Sequence, residues 1–167
     1  MDDAVTQLEA LYRDLSPALL AYFRRQRALA GTAEDLLQDT FVRAIRGFAR
    51  LRASVSPRAY LFGIARHVSL DALRARPPTA ELLADPAAPA VAPEDARLEP
   101  MRAAIAALPA PQRETLLLKV QHELSYEEIA EVLGIPVGTV RSRLHHAVAH
   151  LRITLTSGTS AHENRTA

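Results

Sequence analysis

The chain has 167 residues, a formal net charge of +1 and no cysteine. That length holds one ordinary domain or two small ones, and the missing thiols exclude disulfides, cysteine nucleophiles and Cys-based zinc sites. No apolar run approaches the roughly 20 residues that span a bilayer, and the acidic Met1-Asp2-Asp3 start lacks a secretory signal, so the expectation is a cytoplasmic protein without membrane insertion.

Ala, Leu and Arg dominate, aromatic residues are few, and an all-α fold is expected. In chain order, Leu8, Leu11, Tyr12, Leu15, Leu19 and Tyr22–Phe23 mark a first helix, which Pro17 is expected to bend or restart. Thr32 is placed to cap a second helix, with Glu34 and Asp35 in its first turn and Leu36, Leu37, Thr40, Phe41, Ala44, Ile45 and Phe48 along one face. Residues 47–55 read as a break. Ser56-Pro57 then restarts a helix, hydroxyl at the N-cap and proline at the first helical position, that runs through Leu73 and stops at Pro77.

The small net charge conceals a strongly uneven distribution. Residues 41–76 carry eight arginines against Asp71 alone, whereas residues 1–40 and 77–100 are both acidic. A basic block of this kind is the footprint of a polyanion partner, or else a solvated arginine-rich face. Residues 77–100 hold six of the eleven prolines and read as an extended linker. Two small helical domains follow, 1–76 and 101–153, with a polar tail at 154–167 expected to be frayed and disordered.

In the second domain helices are expected near 101–108, 112–121, 125–133 and 137–152, and Ser125-x-x-Glu128 is a capping box for the third. The segment LSYEEIAEVLGIPVGTVRSRLHHAVAHLR has helix-turn-helix spacing. Ala130 allows a close crossing, Gly134 suits the positive φ of the tight turn, and Val140 fills the angle between the helices. Ile129, Leu133, Ile135, Val140, Leu144, Val148 and Leu151 supply the expected core. No acid stands between Pro136 and Arg152, and Thr139, Arg141, Ser142, Arg143, His145 and His146 are suited to base edges and phosphates.

That segment resembles region 4.2 of the extracytoplasmic-function sigma factors, and LPAPQRETLLLKV resembles region 4.1. Upstream, AEDLLQDTFVRAIRGF looks like region 2.2, and SPRAYLFGIARHVSLDALRAR like regions 2.3 and 2.4. The resemblance implies a sigma region 2 bundle and a region 4 helix-turn-helix, with core RNA polymerase and promoter DNA as partners and an anti-sigma factor as a further one. It implies that Asp35, Gln38, Asp39 and Phe41 contact polymerase, although Leu37, Phe41 and Ile45 are equally compatible with core positions. Arg50, Arg52, Arg58, Arg66 and His67 would open the −10 element and hold an extruded base. Arg141, Ser142, Arg143, His145 and His146 would read the −35 element, with Val137 and Thr139 at the helix start facing phosphates. Arg43, Arg74 and Arg76 read as solvated charges or as general attraction for phosphates.

The chain departs from the family pattern in places. Many members have Asn at the position of His67, Arg at those of His146 and Val148, and Trp where Tyr60 stands. Fewer permanent cations on the recognition helix imply weaker or more pH-sensitive −35 binding, because neutral imidazole adds little attraction to phosphates. His146 and His150 have a metal-compatible spacing but no carboxylate or thiol nearby, so neither metal nor cofactor is expected. No GxSxG segment or phosphate-cradling glycine loop supports an enzyme. The alternative reading is a helix-turn-helix transcriptional regulator that is not a sigma factor, whose usual strand-rich sensor domain has no counterpart in residues 1–76; an adaptor that binds polymerase without touching DNA leaves the acid-free helix unexplained.

Overall fold

The computed structural model describes residues 2–51, 53–77 and 98–163, and every regular element among them is helical. Along the chain these are α1 (Asp2–Arg24), a 3-10 turn (Ala30–Thr32), α2 (Ala33–Arg46), α3 (Phe48–Leu51), α4 (Pro57–Ala75), α5 (Glu99–Ala106), α6 (Ala110–His122), α7 (Tyr126–Leu133) and α8 (Val137–Glu163). Residues 2–77 and Leu124–Ile135 gather into one unit, residues 98–123 and 136–163 into another. Most of the linker expected over 77–100 falls outside the described residues, as does Arg52.

In the first unit α4 packs against α1, α2 and α7. Its Ala59, Leu61, Phe62, Ala65, Val68 and Ser69 are buried together with Leu19 and Phe23 of α1, Leu29, and Ala33, Leu37, Phe41 and Ala44 of α2. Tyr22 stands edge-on to both Phe23 and Phe62, with ring centroids 5.4 and 5.8 Å away. The buried hydroxyls stay bonded: Gln26 donates to Ser69 at 3.2 Å, and Thr40 donates to the Leu36 carbonyl at 2.7 Å. In the second unit α8 packs on α5 and α6, burying Val140, Leu144 and Ala147 with Ala104, Leu108, Leu116 and Leu118.

Three helix boundaries follow the expected side-chain chemistry. Ser56 is the N-cap of α4, its hydroxyl accepting the Ala59 amide at 3.0 Å, with Pro57 opening the first turn. The capping box of α7 is closed from both sides by Ser125 and Glu128. Gly134 ends α7 at φ +65°, a conformation open to glycine without steric penalty.

Other expectations need correction. Pro17 does not interrupt α1. It lies on the exposed side, as does Arg13, so the carbonyl it deprives of an amide partner can be hydrated while the Leu8–Leu19–Phe23 stripe stays buried. The Thr32 hydroxyl does not cap α2; it donates to the Leu29 carbonyl at 3.1 Å, because a 3-10 turn runs straight into the helix. The break after Gly47 contains the single turn α3. In the second unit α5 begins at Glu99 rather than Met101, with Pro100 in its first turn. Helix α8 continues past Arg152 to Glu163. No proline interrupts that stretch, and Thr154 and Thr156 turn their hydroxyls onto the carbonyls of His150 and Arg152 instead of competing with the helix. Val148, expected in the core, is 47% exposed, and Ala147 takes the buried place.

Phe62 is fully buried. Phe62→Ala is expected to destabilise the protein by about 3–5 kcal/mol, measured by denaturant unfolding, whereas Val148→Ala should cost well under about 1 kcal/mol.

Candidate nucleic-acid interfaces

Helix α4 presents two faces because residues three and four apart share a side. Tyr60, Ile64, His67 and Asp71 lie along one of them, and with Arg43, Gly47 and Arg50 they line a cleft of about 340 Å³. The Tyr60 hydroxyl donates to the Ala44 carbonyl at 3.2 Å, serving one of the acceptors that the end of α2 leaves without an amide partner. Burial raises the Tyr60 pKa, against the opposing charge of Arg50. Gly47 is required by this arrangement: a Cβ there would stand 2.7 Å from the Tyr60 oxygen.

Two acids hold Arg43. It lies 3.0 Å from Asp39 and 2.8 Å from Asp71, and these hydrogen bonds, Asp71 first, raise the guanidinium pKa. The same bond from Arg43 holds the Asp71 carboxyl below its ordinary range. Arg43 is therefore a structural clip between α2 and α4, which leaves Arg50 as the cleft's other guanidinium, with the His67 imidazole across from it. His67 places Nδ1 2.8 Å from the Gly63 carbonyl; with Nδ1 donating, Nε2 is left for another partner.

Arg58 and Arg66, grouped with these residues by the sequence reading, lie on the other side of α4 with Phe62. Arg58 is half-buried with its guanidinium 5.9 Å from the Phe62 ring centroid, within cation–π range. The first set of candidates is thus divided: Arg50 and His67 meet at the cleft, while Arg58 and Arg66 do not.

On α2, Asp35 and Gln38 are exposed and Asp39 is committed to Arg43. Phe41 is buried edge-on to Tyr12, ring centroids 4.8 Å apart. The exposed apolar side chains of this helix are Val42 and Ile45, at 44% and 59% exposure, and at i, i+3/4 and i+7 spacing they continue the surface begun by Asp35 and Gln38. Ile45, which the sequence spacing had placed on the core stripe, is thus outside it, whereas Val42 was never part of that stripe.

In the second unit the buried stripe of α8 fixes what its other side presents. Arg141, Ser142, His145 and His146 are exposed, and Arg152 falls on the same side as Arg141 and His145. Val137, Thr139 and Arg143 are half-buried at its border. His145 and His146 stand edge-on, centroids 5.8 Å apart, and Ser142 donates to the Thr139 carbonyl at 3.1 Å. The Thr139 amide is taken by the Pro136 carbonyl at 2.9 Å, so the amides of Val137 and Gly138 head the helix. This surface is cationic, free of acids and rich in hydrogen-bonding groups, the composition that suits a duplex groove.

A helical protein with an arginine-lined cleft and a cationic helix surface has the composition that suits a nucleic-acid partner. Comparison with known proteins narrows the class. Residues 11–77 match the family described as Sigma-70 region 2, and residues 98–151 match Sigma-70, region 4. The ECF RNA polymerase sigma factor SigC of Mycobacterium tuberculosis is 44% identical over 125 residues, covering 70% of this chain and 66% of the relative, so that match spans just under two thirds of the relative's length. The RNA polymerase sigma factor YlaC of Bacillus subtilis is 33% identical over 159 residues, covering 89% of this chain and 92% of the relative. Among solved structures, the co-crystal of the sigma factor RpoE with the anti-sigma factor NepR from Bartonella quintana matches with a TM-score of 0.63 at 27% identity, covering 90% of this chain and 97% of that one. The structure of CnrH with the cytosolic domain of CnrY matches with a TM-score of 0.61 at 27% identity, covering 90% and 88%. The chain belongs to the extracytoplasmic-function (ECF) sigma factors.

Tyr60→Phe is expected to cost about 0.5–1.5 kcal/mol in unfolding free energy, the worth of one intramolecular hydrogen bond. Gly47→Ala should displace the Tyr60 ring, seen as a change in tyrosine fluorescence and near-ultraviolet dichroism. Because the folded Asp71 carboxyl is held low by Arg43, its contribution is present above the ordinary carboxylate range and is lost as pH falls through the lowered value. Thermal unfolding followed from neutral to acid pH should therefore fall less steeply in Asp71→Asn than in the wild-type chain.

Proposed function

We propose that this protein joins core RNA polymerase and directs it to promoters through two modules, residues 1–76 and 101–153, tethered by residues 77–100. The region 2 and region 4 matches, which fall on either side of the proline-rich stretch, support that division. The first module docks on polymerase through α2, with Asp35 and Gln38 as polar contacts and Val42 and Ile45 as the apolar ones; Asp39 and Phe41 hold that surface in shape from behind. The cleft beside α4 receives an unpaired base of the −10 element, with Arg50 and His67 attracting the strand. Strand opening of this kind needs no catalytic group: a cleft that favours an extruded base over a stacked one, with cations for the phosphates, is sufficient.

In the second module α8 enters the major groove of the −35 element. Arg141, Ser142, His145 and His146 meet base edges and backbone, Arg143 and Arg152 flank them, and the amides at Val137 and Gly138 face a phosphate. The observation that carries the reading is the exposed side of α8, where Arg141, Ser142, His145 and His146 stand in a stretch, Val137–Arg152, that contains no acid. On this reading the protein acts in the cytoplasm by binding alone, without covalent chemistry or a cofactor. An anti-sigma factor is proposed as a further partner, by analogy with the NepR complex.

Run-off transcription with purified core polymerase tests the reading: initiation at defined start sites should appear only when the protein is added. Failure to join core enzyme, or joining it without start-site selection, would overturn it. Arg141→Ala is expected to weaken promoter binding by about 1–3 kcal/mol and to relax selectivity at one −35 position, measured by fluorescence anisotropy across single-base variants. Uniform weakening on all sequences would reassign Arg141 to a phosphate.

A further inference from the structure

Along α4 the cleft is lined by groups whose polar hydrogens are already used inside the fold. Tyr60 has one such hydrogen and donates it to the Ala44 carbonyl at 3.2 Å, so its oxygen can only accept a further bond. Burial raises the Tyr60 pKa and keeps that hydrogen in place at neutral pH. Further along the same side, His67 has Nδ1 2.8 Å from the Gly63 carbonyl. A carbonyl oxygen accepts and never donates, so the proton of the neutral ring sits on Nδ1 and Nε2 carries a bare lone pair. One turn beyond, the bond from Arg43 to Asp71 Oδ2 at 2.8 Å holds that carboxyl below its ordinary range, ionised and able only to accept. Its Oδ1 lies 3.8 Å from Arg74, an ion pair too long for a hydrogen bond.

The rest of the lining adds little that could donate. Arg43 turns Nε and Nη2 to Asp39 and Nη1 to Asp71, so each nitrogen of its guanidinium faces a carboxylate. Gly47 and Ile64 bring no polar side-chain group, and Arg50 supplies the remaining guanidinium. The α4 side of the cleft therefore offers three acceptors in a row, the Tyr60 oxygen, His67 Nε2 and Asp71 Oδ1. Bases differ in what they bring to such a row. Cytosine and adenine present an exocyclic amine with two hydrogens, whereas thymine presents carbonyl oxygens on both sides of a single N–H. A carbonyl set against these acceptors leaves lone pairs facing lone pairs, and a site built for one hydrogen-bond pattern strongly rejects a ligand that lacks it.

We propose that this cleft selects an extruded base bearing an exocyclic amine and rejects thymine, with His67 Nε2 as the acceptor that reads the amine and Arg50 holding the strand. The inference rests on the reading of the cleft as the −10 pocket and adds which bases that pocket takes.

The test uses the full chain and short fluorescein-labelled oligothymidylates, followed by anisotropy at low salt. In that background a single central cytosine is the one base with an amine, wherever the strand slides. It should tighten binding about five- to tenfold over the all-thymine strand, the worth of one or two hydrogen bonds. Replacing the cytosine with 2-pyrimidinone, the same ring without the amine, should return affinity to the thymine level. His67→Phe keeps a ring at this exposed position and should bring the cytosine-to-thymine ratio below about twofold. Arg50→Ala should weaken both strands by a similar factor and leave the ratio standing, as fits a contact to phosphates. Equal binding of the cytosine and thymine strands would overturn the proposal. So would a preference that survives loss of the amine, one that survives His67→Phe, or one that Arg50→Ala abolishes. Run-off transcription by the wild-type chain separates the two readings. Its absence would overturn the sigma-factor function, whatever the oligonucleotide ratios, while normal initiation without a cytosine preference would overturn the base selection alone.

Discussion

Helix α4 is packed on by α1, α2 and α7, and much of the first unit is arranged around that burial. Its inward positions, Ala59, Leu61, Phe62, Ala65, Val68 and Ser69, intersperse small residues with large ones, which lets neighbouring helices approach closely. A helix enclosed in this way still carries arginines and a histidine at the edge of the buried sector, Arg58 against the Phe62 ring and His67 with Nδ1 on the Gly63 carbonyl. The same packing fixes the cleft: Tyr60 reaches the last turn of α2 only because α2 and α4 are in contact, and Gly47 leaves room for its hydroxyl.

Electrostatic partnering then sorts cations that look alike in sequence. Arg43 is held between two aspartates and Arg24 pairs with Glu34 at 2.5 Å, so both act within the fold. Pairs this exposed contribute little stability each, and their effect is to set direction: a guanidinium held by two carboxylates cannot also lead an anionic strand. Along α8 no acid interrupts residues 136–152, and Arg141, His145 and His146 are exposed. The contrast is one of sequence: the basic block of the first unit includes Asp71 and pairs through it, whereas residues 136–152 contain no acid of their own.

Polar capping works at the same places as function. Ser56 opens α4 and Ser125 opens α7, and the Glu128 carboxylate is bonded to both. Helix ends carry unsatisfied amides and a partial positive charge, so an acid that caps one helix can readily serve a second. Local capping chemistry, repeated twice in this sequence, thereby becomes a long-range contact between segments more than 70 positions apart.

The helical class, the starts of α4 and α7, the glycine turn at Gly134 and the basic block were legible in the sequence, because each depends on residues within one or two turns of one another. The family resemblance was legible for the same reason: its motifs are contiguous segments. Tertiary contacts decided the rest. They turned Phe41 inward against Tyr12 and left Val42 and Ile45 outside, exchanged Ala147 for Val148 in the core of the second unit, and separated Arg50 and His67 from Arg58 and Arg66. They also carried α1 through Pro17 and tied Arg43 to Asp71. Periodicity states which residues share a side of a helix, but only the neighbouring helices determine which side is covered, and which charge finds a partner there.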